Sequence, residues 1–187
     1  ITPDGLSNVF YANSGSEAND TIIRMVRHHW ALEGKPEKRV IISRDFGYHG
    51  STIMSASMGG MSGMHEQAAS EPDFAHIRPP YGFLYQGNQD EAEFAANAAS
   101  WLDDKINEIG ASNVAAFVAE PIQGAGGVIV PPAGYFKHIQ EICRRHDILF
   151  VADEVITGFG RTGQWFASQT MELEPDMMAL AKGLTSG

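Results

Sequence analysis

A chain of 187 residues, 43% of them hydrophobic and 19% charged, can bury one sizeable core and has the composition of an ordinary globular domain. Its formal charge of −10, with 13 Lys and Arg scattered rather than striped, argues against a nucleic-acid footprint. No apolar stretch reaches membrane-span length, and the single cysteine, Cys143, cannot form an internal disulfide, which fits a reducing cytoplasm.

The elements alternate along the chain. Ala18, Ile22, Met25, Val26 and Trp30 fall at helical spacing and predict a helix over residues 15–32. A short strand follows at 39–43. Residues 48–70, rich in Gly, Ser and Met, read as irregular structure, and 79–82 as loop. A second long helix is expected over 90–109, with Phe94, Ala98, Trp101, Leu102, Ile106 and Ile109 on one side. Next come an unalternating strand at 114–119, a glycine-rich turn at 124–127, and a helix over 132–146 that includes Cys143 as a core thiol. A strand at 148–152, a glycine loop at 158–163 and a strand from Met177 complete the order. Continuous apolar strands between amphipathic helices imply an α/β fold, a mostly parallel sheet covered on both faces. No repeat or linker divides it, so one domain spans 1–187. The opening at Ile1 and the stop at Thr185-Ser186-Gly187 read as those of an internal piece of a larger protein.

In such sheets ligands sit beyond the carboxyl ends of the strands, and Glu120, Asp153 and Lys182 all fall there. A lone charge closing a buried strand is costly unless something neutralises it. Asp153, after Ile148-Leu149-Phe150-Val151-Ala152, and Lys182, after Met177-Met178-Ala179-Leu180-Ala181, together suit a cofactor with a cationic ring nitrogen and an aldehyde. Pyridoxal phosphate has both, and a phosphate besides. A carboxylate beside a pyridine nitrogen keeps it protonated, and an amine can hold the aldehyde and move protons. Position alone also suits an Asp capping a loop and a solvated loop lysine. Glu154, next along a strand, faces away from Asp153.

Asn13-Ser14-Gly15-Ser16-Glu17-Ala18-Asn19 opens the first helix with capping-box spacing between Ser14 and Glu17. Unpaired N–H groups there, with close approach at Gly15, make an anion site, although an ordinary capped helix reads the same way. Tyr48 could stack on a flat ring, or be a surface turn residue, and His49 could stack or relay a proton, or be a hydrogen-bonded turn residue. Glu120 could order a ring's surroundings or meet a cation. Arg161 suits an anion or an internal salt bridge. His28 and His29, adjacent on a helix, face different ways, so no metal is expected. Gly158-x-Gly160-x-x-Gly163 lacks a helical continuation, which rejects a dinucleotide fingerprint.

Asn13 to Asn19, Tyr48-His49-Gly50, Glu120-Pro121, the run from Asp153 to Gly163, and Ala181-Lys182-Gly183 together resemble the class III (omega) aminotransferases, in that family's order and over nearly the whole chain. The resemblance implies a fold type I, aspartate-aminotransferase-like large domain over residues 1–187 with pyridoxal 5'-phosphate as cofactor. Gly15 and Ser16 would hold the phosphate, Tyr48 would stack on the ring and Val155 would pack on its other face. Asp153 would pair with the ring nitrogen and Lys182 would hold the aldehyde, with His49 and Glu120 also at the cofactor. Asn19-Asp20, residues 125–132 and 183–187 resemble the amine:pyruvate branch, which implies amino transfer from a primary amine or omega-amino acid to pyruvate or a related 2-oxo acid. Ile156 departs from the Gln usual in the ornithine and 4-aminobutyrate branches. The small domain, a substrate-carboxylate arginine and a partner-subunit threonine would lie outside residues 1–187, in a homodimer. Two further readings are an aminomutase or decarboxylase on the same scaffold, and a non-catalytic fragment as isolated.

Overall fold

A computed structural model describes residues 1–3, 5–68 and 70–185. Helix α1 (Gly15–Leu32) is followed by strand β1 (Val40–Arg44), short helices α2 (Ile53–Met58) and α3 (Ser62–Ala68), and strand β2 (Phe74–Ile77). Then come α4 (Gly82–Tyr85), α5 (Glu91–Ile109), β3 (Val114–Ala119), α6 (Tyr135–Arg145), β4 (Leu149–Asp153), α7 (Ala167–Thr170) and β5 (Met177–Ala179). The sheet order is β2-β1-β3-β4-β5, and every pairing is parallel. The α/β class with a parallel sheet is the one the sequence implies.

Burial explains why the strands read as unbroken apolar runs. All six residues of β3 are buried, because helices cover both faces of the sheet. Phe117 and Phe150 stack under α5 and α6, joining Phe94, Leu102, Ile106 and Ile139. Val118 and Val151 point the other way, into a second core made with Ile22, Ile23, Val26 and Trp30 of α1 and Met58 of α2. The indole N–H of Trp30 donates to the Ala115 carbonyl at 2.8 Å and fastens α1 to the sheet. Both long helices carry a side-chain N-cap. Ser14 accepts from the Glu17 amide at 3.2 Å, and Asp90 and Glu93 form a reciprocal capping box.

Three expectations differ from the structure, and one strand, β2, is not among the expected elements at all. The stretch 48–70 is not irregular: it carries α2 and α3, with Thr52 capping α2. Their brevity hides the helical period from the sequence. Strand β2 is a four-residue edge strand, too short to signal itself. Met25 falls at core spacing but is 45% exposed, since the buried stripe of α1 runs through Asn19, Ile22, Ile23, Val26 and Trp30 instead. The Glu17 carboxylate does not close a box on the Ser14 amide. It accepts from the Asn13 backbone and side-chain amides at 2.8 and 3.0 Å, one residue earlier. Ser186 and Gly187, which end the stretch 183–187, lie outside the described residues.

The parallel arrangement brings the carboxyl ends of β1, β3, β4 and β5 to one rim. Helix α1 lies against the sheet with its first turn beside Val155 and Ala181 at that rim. Truncating the central Phe117 to Ala should lower unfolding free energy by about 3–5 kcal/mol, read as a shifted urea midpoint with an unchanged slope.

Candidate active site

A cavity of about 260 Å³ opens at the carboxyl rim. All eight residues expected at the site, Gly15, Ser16, Tyr48, His49, Glu120, Asp153, Val155 and Lys182, line it, and Asn13, Asn19, Ile156 and Thr185 do so as well. They come from the start of α1, the end of β4 and the loops after β1, β3, β4 and β5, up to 185 − 13 = 172 positions apart in sequence between Asn13 and Thr185.

Asp153 ends β4 with 2% of its surface exposed. Its Oδ2 accepts from His49 Nδ1 at 2.8 Å and from Asn19 Nδ2 at 2.9 Å, while Oδ1 accepts from the Val155 amide at 3.1 Å. A carboxylate offers only acceptors, so His49 Nδ1 carries the proton in that contact. Glu154 faces the opposite way. Its carboxylate accepts from Thr157, from the amides of Ala167 and Ser168, and from the Ser168 hydroxyl, which pins the glycine loop that follows β4.

Glu120 accepts from the Tyr48 amide and the Gly124 amide, both at 3.0 Å. Burial pushes its carboxyl above the usual carboxylate range, His49 opposes the shift and Asp153 adds to it. Among the described residues it makes no ion pair, so its work is to tie the Tyr48 turn to the glycine-rich turn. Arg161 does not reach the cavity. Its guanidinium donates to the Ile156 carbonyl at 2.9 Å and braces the loop from outside.

At the other end of the cavity, a Cβ on Gly15 would meet the Val155 methyls at 3.2 and 3.3 Å, so glycine lets the helix start approach Val155 closely. The Ser16 hydroxyl accepts from the Ser51 amide at 3.1 Å, which leaves its own proton to donate elsewhere. Lys182 opens a short 3-10 turn at φ 40°, in the left-handed region that side chains disfavour. No hydrogen bond or ion pair engages its amine among the described residues.

Asn19, which lines the cavity and donates to Asp153, is the residue to which a reading of the sequence by residue type gives no place at the site. The signal is present: positions 19, 22, 23, 26 and 30 form one buried helical face, and an asparagine there needs a polar partner.

The model of the class-III aminotransferase family matches residues 1–187. Putrescine–pyruvate aminotransferase of Pseudomonas aeruginosa is 56% identical over all of this chain and 41% of its own length. Vanillin aminotransferase of Capsicum frutescens is 45% identical, again over the whole chain and 41% of its own length. The crystal structure of the omega-transaminase of Pseudomonas jessenii in complex with PMP superposes with a TM-score of 0.97 at 47% identity, over all of this chain and 42% of that one. The chain thus spans about two fifths of the length of these relatives. A match that runs unbroken from the first residue to the last settles the kinship: the chain belongs to the class-III aminotransferase family.

Proposed function

We propose that the protein to which these residues belong moves an amino group from a primary amine or omega-amino acid to pyruvate or a related 2-oxo acid, with pyridoxal phosphate as cofactor. The observation that carries the reading is the cavity at which the Lys182 amine and the Asp153 carboxylate meet the glycine start of α1. Those residues fit the cofactor's three demands. The first turn of α1, with Gly15 lacking a Cβ and Ser16 keeping a free donor, suits a phosphate. Asp153 suits a cationic ring nitrogen, and Lys182, without a partner among the described residues, suits an aldehyde.

When bound, pyridoxal phosphate supplies an aldehyde that captures amines and a protonated ring that draws electrons from the substrate carbon. Tyr48 and Val155 would contact the two ring faces, with the Glu120 carboxylate holding the Tyr48 backbone in place. Asp153 would stabilise positive charge at the ring nitrogen, backed by the donors on its two oxygens. Lys182 Nζ would hold the cofactor, yield to the incoming amine, and then move the proton between carbons. Ile156, its Cδ1 in the space left by Gly124, gives the wall an apolar surface. The likeness to putrescine–pyruvate aminotransferase supports a small aliphatic amine as donor and pyruvate as acceptor. Residues 1–187 would be most of a large cofactor domain, working in a homodimer in the cytoplasm.

In the complete polypeptide, borohydride should fix the cofactor to Lys182, seen as a mass shift on its peptide, and Lys182→Ala should abolish both that label and turnover. Asp153→Asn should cut kcat by at least about hundredfold, as removal of a preorganised charge does elsewhere. A panel of putrescine, beta-alanine and 1-phenylethylamine should each consume pyruvate one for one without releasing CO2, putrescine fastest. Release of CO2, or amine turnover without an acceptor, would overturn the transaminase reading.

A further inference from the structure

Asn19 is 1% exposed, in the second turn of α1, on the face that Ile22, Ile23, Val26 and Trp30 press against the sheet. Its Nδ2 donates to the His49 carbonyl at 2.7 Å and to Asp153 Oδ2 at 2.9 Å. Its Oδ1 is buried and has no partner among the described residues. The orientation is fixed by chemistry, because the flipped amide would set its oxygen against two acceptors. Both donors are thereby turned inward onto acceptors that an apolar residue on this face could not engage.

What those donors hold is a torsion. The terminal torsion of an aspartate is broad and roughly two-fold, so packing alone fixes it poorly. Three donors from three separate segments fix it here: Asn19 from α1, His49 from the turn after β1, and the Val155 amide beyond β4. The bond to the His49 carbonyl anchors the Asn19 amide itself, so it cannot simply follow the carboxylate if that group turns. Asp20, next along α1, accepts from Thr52 at 2.7 Å and ties the helix to the start of α2, on the far side of the same turn.

We propose that Asn19 is a positioning residue that acts through Asp153, holding the carboxylate in the orientation it presents to the cavity and thereby strengthening its hold on the cofactor ring. The proposal rests on the pyridoxal phosphate reading above. It concerns the amide of Asn19 and not merely its bulk.

A double-mutant cycle on pyridoxal phosphate affinity tests it, run on the complete polypeptide with Asn19→Ala, Asp153→Asn and the double variant. Affinity is measured by equilibrium dialysis, and the cofactor-free forms are melted to check that each variant folds. Asn19→Ala should weaken binding about tenfold in the wild-type background, the scale of a lost hydrogen bond to a charged group, but by no more than about twofold beside Asp153→Asn. Equal fold losses in both backgrounds would mean that Asn19 acts by packing or through the His49 backbone, and would overturn the proposal. If Asn19→Ala does not fold, Asn19→Asp preserves the shape while replacing the donor, and it should weaken binding at least as much. Wild-type affinity in that variant would also overturn the proposal. A wild-type protein that binds no pyridoxal phosphate would remove the functional reading itself, whereas tight wild-type binding with additive losses would remove only the role of Asn19.

Discussion

A carboxylate shut away from water must be given donors, and at Asp153 that requirement organises the rim of the sheet. No lysine or arginine pairs with it among the described residues. Its donors are an imidazole, a side-chain amide and a backbone N–H, which come from the turn after β1, from α1 and from the chain just beyond β4. Meeting the demand of one buried group therefore fixes the mutual placement of three segments. With no lysine or arginine paired to it among the described residues, the carboxylate is placed to attract positive charge in the cavity it lines.

Glu120 does similar work at the end of the neighbouring strand, β3. Its two oxygens hold the backbone of Tyr48 and of Gly124, so the aromatic side chain and the glycine turn share one support. Glu154 does the same for the loop after β4 through four hydrogen bonds. Three carboxylates at strand ends thus have different tasks. Asp153 faces the cavity with its oxygens clamped, Glu120 braces the cavity wall, and Glu154 anchors the loop behind it. Rigid scaffolding of this kind lets binding groups stay placed when the site is built from segments distant in sequence.

Much of this is legible in the sequence, for identifiable reasons. The helix over 15–32 and the strand over 114–119 are found where periodicity and continuous apolarity put them, since long elements repeat their signal many times. Helices α2 and α3 and strand β2 escape such a reading because four to seven residues hold too few repeats to mark a period. Asp153 and Lys182 stand out because a charge ending an apolar run is anomalous within a few residues of chain. Asn19 does not, because an asparagine in a helix is unremarkable until its buried face is known.

The α/β order, the span of the long helices and the kinds of chemical group that end each strand follow from neighbours close in the chain, and so can be read without the fold. Which of those groups meet depends on how the elements pack. Only packing could bring Asn19 to Asp153 across 134 positions, turn Glu120 onto the Tyr48 backbone, and direct Arg161 to a loop carbonyl instead of the cavity. Those outcomes follow from satisfying buried polar groups in three dimensions. No local pattern encodes them, because the partner that satisfies each group is supplied by another region of the fold.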